Sequence, residues 1–318
     1  MSAEPAAPPP VSASRVACLG VGAMGAPIAL NLLKHGHEVH VWNRTAARAE
    51  PLQARGARVL PSLAALGALA PDFVFINVSD SAALRSLVAG DDGLAARLPV
   101  GSVVIDNSSV APETAREMAG LLAARGIGFL DAPVTGGTTG AAAGTLTVMV
   151  GGDAALARRC EPVLRAFAKS IHYLGPAGSG QACKLCHQVA AACAMLGLCE
   201  GLSLAAKGKL PVAAVHEVLA AGSVGSSIVR VQGARIVAGD HSPGFRLDLM
   251  RKDLRTAHDF AAQLNLPLPG SELVAAWMSA LAQRDGGDLG WQALIREFEA
   301  RGGFTFPVTE PLMPSAQT

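Results

Sequence analysis

The sequence predicts an α/β protein, with a doubly wound parallel sheet first and an all-helical C-terminal domain after it. Three observations predict this. Between Arg15 and about Gly175, short β-rich runs alternate with helix-like segments, the pattern of parallel strands joined by helical crossovers. The runs are continuously apolar rather than alternating, which suits strands covered on both faces. Beyond "YLGPAGSG", ending at Gly180, nothing reads as a strand and helix-like segments follow one another.

The runs are "RVACLG" from Arg15, "EVHVWN" from Glu38, "DFVFINV" from Asp72, "SVVIDNS" from Ser102, "GFLDAPV" from Gly128 and "LTVMVGG" from Leu146. Helices are expected over Met24–His35, Thr45–Arg55, Ser81–Val88 and Pro112–Arg125. In the second half they are expected over Gln181–Lys209, Val212–Ala221, Leu249–Leu264, Gly270–Arg284 and Gly290–Ala300. The first of these would be roughly 40 Å long. Its Ala, Gly and Cys content lets neighbouring helices approach closely. Residues 1–14, rich in Pro, Ala and Ser, read as a disordered tail. Residues 15–177 form the first domain, 178–304 the second, and 305–318 a C-terminal tail.

Composition narrows the function classes. The 318-residue chain is half hydrophobic and carries 26 basic against 25 acidic residues, a net charge of +1. That balance argues against nucleic-acid partners or an anionic membrane surface. The apolar run Val189–Cys199 is too short for a membrane span, which needs about 20 residues. Nothing at the N-terminus reads as a signal peptide, so a cytoplasmic location is expected. Four of the six cysteines, Cys183, Cys186, Cys193 and Cys199, lie on one helical segment, which is not a disulfide framework. Cys183, Cys186 and His187 could offer three zinc ligands, but no second CxxC or HxxxH supplies a fourth, so no metal is expected. Cys193 and Cys199 read as small buried residues.

The most informative stretch is "RVACLGVGAMGAPIALNLLKHGHEVHVWNRT", residues 15–45. A strand ends at Leu19, then Gly20, Gly22 and Gly25 form G-x-G-x-x-G, then a helix begins. Gly20 permits the tight turn, Gly22 lets backbone approach a pyrophosphate, and Gly25 allows close helix–strand packing. The helix N-terminus stabilises phosphate charge. The cofactor cradle is therefore Gly20, Gly22, Ala23, Met24 and Gly25. At the end of the second strand stand Asn43, Arg44 and Thr45, with no carboxylate to take ribose hydroxyls. An arginine and a hydroxyl can hold a 2′-phosphate, so NADP is expected, with NAD as the alternative.

Other strand ends carry polar sequence, where ligands of doubly wound sheets lie. Val78, Ser79 and Asp80 end one, and Asn107, Ser108 and Ser109 another. Helix capping and contact with the cofactor are both open to them, and Ser109 is taken as a cofactor contact. Thr135, Gly136 and Gly137 offer a hydroxyl and exposed N–H groups, a small grip for a substrate carboxylate. Lys184 is the one charge in an apolar helical stretch, where an unpaired ammonium is costly.

These residues together resemble the β-hydroxyacid dehydrogenase family, which includes 3-hydroxyisobutyrate dehydrogenase, tartronate semialdehyde reductase, glyoxylate/succinic semialdehyde reductase and, more distantly, 6-phosphogluconate dehydrogenase. The resemblance runs from about Val16 to Ala262, through "GVGAMGAPIALNLLKHGHEV", "DAPVTGGTTGAAAGTL", "GSGQACKLCHQ" and "RKDLRTA" in that order. It implies a Rossmann domain joined by a long helix to a helical domain. It also implies Lys184 as catalytic general acid/base, and Thr135, Gly136, Gly137 and Gln188 on the substrate. Lys252 would lie near both substrate and nicotinamide. His187 and Gln188 stand where relatives usually show Asn-Asn, Asn-Gln or His-Asn. The implied activity interconverts a short 3-hydroxy acid and its semialdehyde, in a homodimer or homotetramer. Two alternatives use the same fold: imine reduction, whose enzymes typically carry Asp or Tyr where Lys184 stands, and cofactor binding without chemistry. Arg251, Arg255 and His258 read as a solvated helix face, and Trp277 and Trp291 as core or interface.

Overall fold

The computed structural model describes residues 13–307 and divides into two compact units, with the division between Lys184 and Leu185. The first unit is built on nine strands: β1 Arg15–Leu19, β2 Glu38–Trp42, β3 Arg58–Val59, β4 Phe73–Ile76, β5 Val103–Asp106, β6 Gly128–Asp131, β7 Val134–Thr135, β8 Leu146–Gly152 and β9 Ala168–Gly175. Their order is β3-β2-β1-β4-β5-β6-β8-β7, with β9 also paired to β8. From β3 to β6 every pairing is parallel. Within this parallel-dominated, doubly wound sheet, β8 runs antiparallel to β6 and β7. The chain reverses there because β6, β7 and β8 are joined without a full crossover; the helix Gly137–Ala143 between β7 and β8 is only 7 residues long.

The strands read as uninterrupted apolar runs because both faces are buried. Val16 and Cys18 of β1 pack with Ile28, Leu32, Phe75 and Phe167 on one face. Ala17 and Leu19 pack with Val74, Ile76, Leu84 and Met118 on the other. Phe75 and Phe167 meet edge to face at 5.6 Å. Chain order reverses between β1 and β4, and this switch point is where a doubly wound sheet opens a crevice at its strand ends.

Several elements lie where the sequence reading leaves unassigned chain, among them strands β3 and β9 and the helices Ala65–Leu69, Leu94–Arg97, Gly137–Ala143 and Ala154–Leu164. The tail expected at 1–14 lies, up to residue 12, outside the described residues. Ser14 is already tied to the sheet, accepting from Glu38 N at 3.0 Å. Residues 308–318 of the C-terminal tail also lie outside. The start of that tail moves later, because Phe306 is buried and its N–H donates to Glu299 Oε1 at 2.6 Å.

The second unit is helical. The long helix Ser179–Lys207 begins in the first unit and supplies the second with a buried face of Ala192, Met195, Leu198, Cys199 and Leu202. That face packs with Ile236, Leu254, Met278, Trp291 and Ile295. By length and hydropathy this helix could cross a bilayer; here one face of it is core. Further helices cover Val212–Ala221, Leu247–Gln263, Pro269–Asp285 and Ile295–Gly302. The expected boundary after residue 177 shifts to Lys184 because the first turns of the long helix are bonded to the strand ends of the sheet, as described next.

Candidate active site

The glycine loop has the geometry its spacing predicts. Gly20 has φ +88°, and a Cβ there would sit 2.1 Å from the Asn77 carbonyl oxygen at the end of β4. A Cβ on Gly25 would lie 2.0 Å from the Gly20 oxygen. Both positions therefore exclude any side chain. Gly22 differs, since a Cβ there would meet nothing within 4 Å. The helix Gly25–Lys34 has no side-chain cap, whereas Asp80 caps the helix Ser81–Ala89 through Ala83 N at 2.9 Å. An uncapped helix start beside an open glycine fits a dinucleotide pyrophosphate.

Asn43 braces this loop. Its Oδ1 accepts from Val21 N at 3.1 Å, and its Nδ2 donates to the Thr45 carbonyl at 3.0 Å. The two side chains suited to a 2′-phosphate, Arg44 and Thr45, are exposed beside it. Asp80 is a cap, and the Ser79 hydroxyl donates to it at 2.8 Å. Ser108 Oγ accepts from Val78 N at 2.9 Å, joining the loops after β4 and β5. Thr135 ends β7, followed by Gly136 at φ +128° and Gly137 at φ +64°. Both glycines are exposed where a short helix begins.

Lys184 is 7 % exposed, on the turn of the long helix that belongs to the first unit. That turn is fixed by two residues to which the sequence reading assigns no role. Asp131, at the end of β6, accepts from Gly178 N and Gln181 N, both at 2.8 Å. Burial pushes its carboxyl pKa up, and the Gly178 and Gln181 N–H groups pull it back. Gln181 donates to the Ser108 carbonyl at 2.8 Å and accepts from Val110 N at 3.1 Å. Glycines make the approach possible: a Cβ on Gly180 would stand 2.4 Å from the Met149 oxygen, and one on Gly151 2.6 Å from Asp131 Oδ1.

Gln188 and Lys252 belong to the second unit, where Asp253 joins them. Gln188 Nε2 donates to Asp253 Oδ2 at 2.6 Å, and Lys252 Nζ pairs with Asp253 Oδ1 at 2.8 Å. His187 Nδ1 lies 2.9 Å from Gln188 Oε1. The solvated face expected at Arg251, Arg255 and His258 is only partly so. Arg255 is exposed, while Arg251 pairs with Asp248 at 2.6 Å and His258 meets the buried Ser271 hydroxyl at 2.9 Å. Cys193 is exposed, a correction to its expected burial. Cys199 is buried, and six residues of helix put the two on different faces. Among the described residues, no three His, Cys, Asp or Glu side chains converge in a metal-like group.

The profile described as the NAD binding domain of 6-phosphogluconate dehydrogenase matches residues 15–175. The profile described as NAD-binding of NADP-dependent 3-hydroxyisobutyrate dehydrogenase matches residues 178–298. The chain is 34% identical to 2-hydroxy-3-oxopropionate reductase of Escherichia coli strain K12, over 88% of this chain and 96% of that one. It is 36% identical to NAD-dependent L-serine dehydrogenase of Pseudomonas aeruginosa, over 78% and 85%. A solved structure of Psf3 in complex with NADP+ and 2-OPP superposes with a TM-score of 0.82 at 28% identity, covering 89% of this chain and 99% of that one. With this fold, this glycine loop and these relatives, the chain belongs to the β-hydroxyacid dehydrogenase family and is an NAD(P)-dependent oxidoreductase acting on CH–OH groups.

Proposed function

We propose that the protein interconverts a short 3-hydroxy acid and its semialdehyde, prefers NADP(H), and uses Lys184 for proton transfer. The observation that carries this reading is the burial of Lys184 on a helix turn bonded directly to the strand ends of the cofactor-binding unit. When bound, the nicotinamide supplies or accepts the hydride. Negative charge then builds on the substrate oxygen during reduction. The Lys184 ammonium stabilises that charge and gives up a proton, and in oxidation the neutral amine takes the hydroxyl proton. Thr135 and the exposed N–H groups of Gly136 and Gly137 orient the substrate carboxylate. By the family resemblance, Gln188 and Lys252, both bonded to Asp253, are substrate contacts as well.

Arg44 and Thr45, exposed beside the glycine loop with no acid between them, support NADP over NAD. The test is a substrate panel of glyoxylate, succinic, tartronate and methylmalonate semialdehydes and 3-hydroxyisobutyrate, each with both cofactors. Turnover that falls at least about 100-fold in Lys184→Ala supports the lysine. Wild-type kcat in that variant removes Lys184 from the mechanism. An Arg44→Ala variant that keeps the NADPH/NADH preference overturns the 2′-phosphate assignment.

A further inference from the structure

Gln181, three residues before Lys184, takes no part in the proton transfer itself. Gln181 is fully buried, at 0 % exposure. A buried amide must satisfy both its donor and its acceptor, and this one uses both on a single short loop. Nε2 donates to the Ser108 carbonyl and Oε1 accepts from Val110 N. These two anchors flank Ser109. Ser108 in turn receives Val78 N on its hydroxyl. One chain of hydrogen bonds therefore runs from the loop after β4, through the loop after β5 and the Gln181 side chain, to Asp131 at the end of β6.

Neither element needs Gln181 simply to exist. The helix start has its own tie, the Asp131 carboxylate on Gly178 N and Gln181 N. The loop has its own as well. Ser108 N donates to Asp106 Oδ1 at 3.0 Å, and Ala111 N donates to Ser81 Oγ at 3.1 Å. What the two amide bonds fix is the loop relative to the helix turn carrying Lys184. At 1.5 Å rise per residue, Lys184 stands about 4.5 Å further along that helix.

We propose that Gln181 is a positioning residue for hydride and proton transfer. It holds the 108–110 loop, which carries the cofactor contact expected at Ser109, at a set distance from Lys184. This rests on the reading of Lys184 as the proton-transfer group. Misplacement of reacting groups by about 1 Å can cost about 100-fold in rate. Cofactor affinity, which comes mainly from the glycine loop, is then little changed.

The experiment compares Gln181→Met, of similar length without either bond, and Gln181→Glu, which keeps the acceptor only. Each is measured per folded molecule beside wild type and Lys184→Ala, with NADPH and with NADPH deuterated at the transferred position. The expected result for Gln181→Met is a kcat lower by about 10- to 100-fold. Its NADPH Kd stays within about threefold, and its isotope effect on kcat is at least that of wild type. Gln181→Glu keeps the acceptor but sets a carboxylate oxygen against the Ser108 carbonyl, so its kcat falls at least as far as that of Gln181→Met, and it carries the comparison if the Met variant does not fold. A kcat per folded molecule within about twofold of wild type overturns the proposal, as does a loss matched by an equal loss of NADPH affinity. Lys184→Ala separates the two readings. If it loses activity while Gln181→Met does not, only the positioning role fails; if it keeps activity, the lysine reading fails and takes this one with it.

Discussion

Replacing Gly22 and Gly25 by alanine, one at a time, separates what the loop needs to fold from what it needs to bind. A Cβ on Gly25 would lie 2.0 Å from the Gly20 oxygen, with Gly20 C at 3.1 Å. Two backbone segments would have to part by about 1 Å, an overpacking worth about 1–3 kcal/mol. At about 2–4 °C per kcal/mol for a unit of this size, Tm drops by as much as about 10 °C. A Cβ on Gly22 meets nothing within 4 Å, and its φ is not positive. Gly22→Ala therefore leaves the free protein unchanged or stabilises it by up to about 1 kcal/mol through the unfolded chain. Its penalty comes only with cofactor, because the methyl stands where a pyrophosphate must approach. At NADPH 100 times the wild-type Kd, binding stabilises wild type by about 2.7 kcal/mol, a shift of about 5–11 °C. A 100-fold weaker variant gains about 0.4 kcal/mol, or about 1–2 °C. Thermal melts with and without NADPH read both effects. Gly22→Ala showing the full cofactor shift would remove the pyrophosphate from this loop, and Gly25→Ala melting like wild type would contradict the close packing.

Two further outcomes follow from the buried titrating groups. A thiol reagent at pH 8 should modify only Cys183, Cys186 and Cys193 of the native protein and all six cysteines after unfolding. Cys18, Cys160 and Cys199 are buried, and burial pushes the Cys18 and Cys160 thiols up to about 12; native labelling of any of the three contradicts this. Burial, and then the charge of His35, hold the His37 pKa below 6.5. Below that pH the unfolded chain binds a proton that the native state does not, so stability falls as pH drops from 6.5. Burial acts on His241 in the same direction. Melting temperatures across that window should decline less steeply in His37→Gln, and an unchanged slope would mean His37 is not the group concerned.

The strands from β1 to β6 that are legible in sequence are the longer ones buried on both faces, such as β4, "FVFI". Strand β9 is not, because "AKSIHYLG" lies at an edge, is largely accessible and shows no clean alternation. The helix Ala154–Leu164 carries Pro162 and two adjacent arginines, which hide its apolar stripe. The segment "GTTGAAA" has the composition of a loop, yet it forms a helix, held by Asn31 Nδ2 on the Ala141 carbonyl at 2.7 Å. The glycine loop was readable because each glycine answers a local backbone demand at fixed spacing. Asp131 and Gln181 were not, because their partners lie 47 to 73 residues away and no local pattern announces them. The exposure of Cys193 is hidden for a related reason: a helix apolar on every side does not declare which face meets the core.

Asn43 has a bearing on how cofactor preference could be redesigned, or could drift in evolution. The usual step toward NAD places an acid at the end of the second strand. Here that position is also the brace of the glycine loop. An aspartate at 43 could still accept from Val21 N, but it would set a carboxylate against the Thr45 carbonyl. The substitution that recruits the ribose would distort the turn that receives the phosphates. A productive path therefore leads first through Arg44 and Thr45, whose exposed side chains can change without touching the loop.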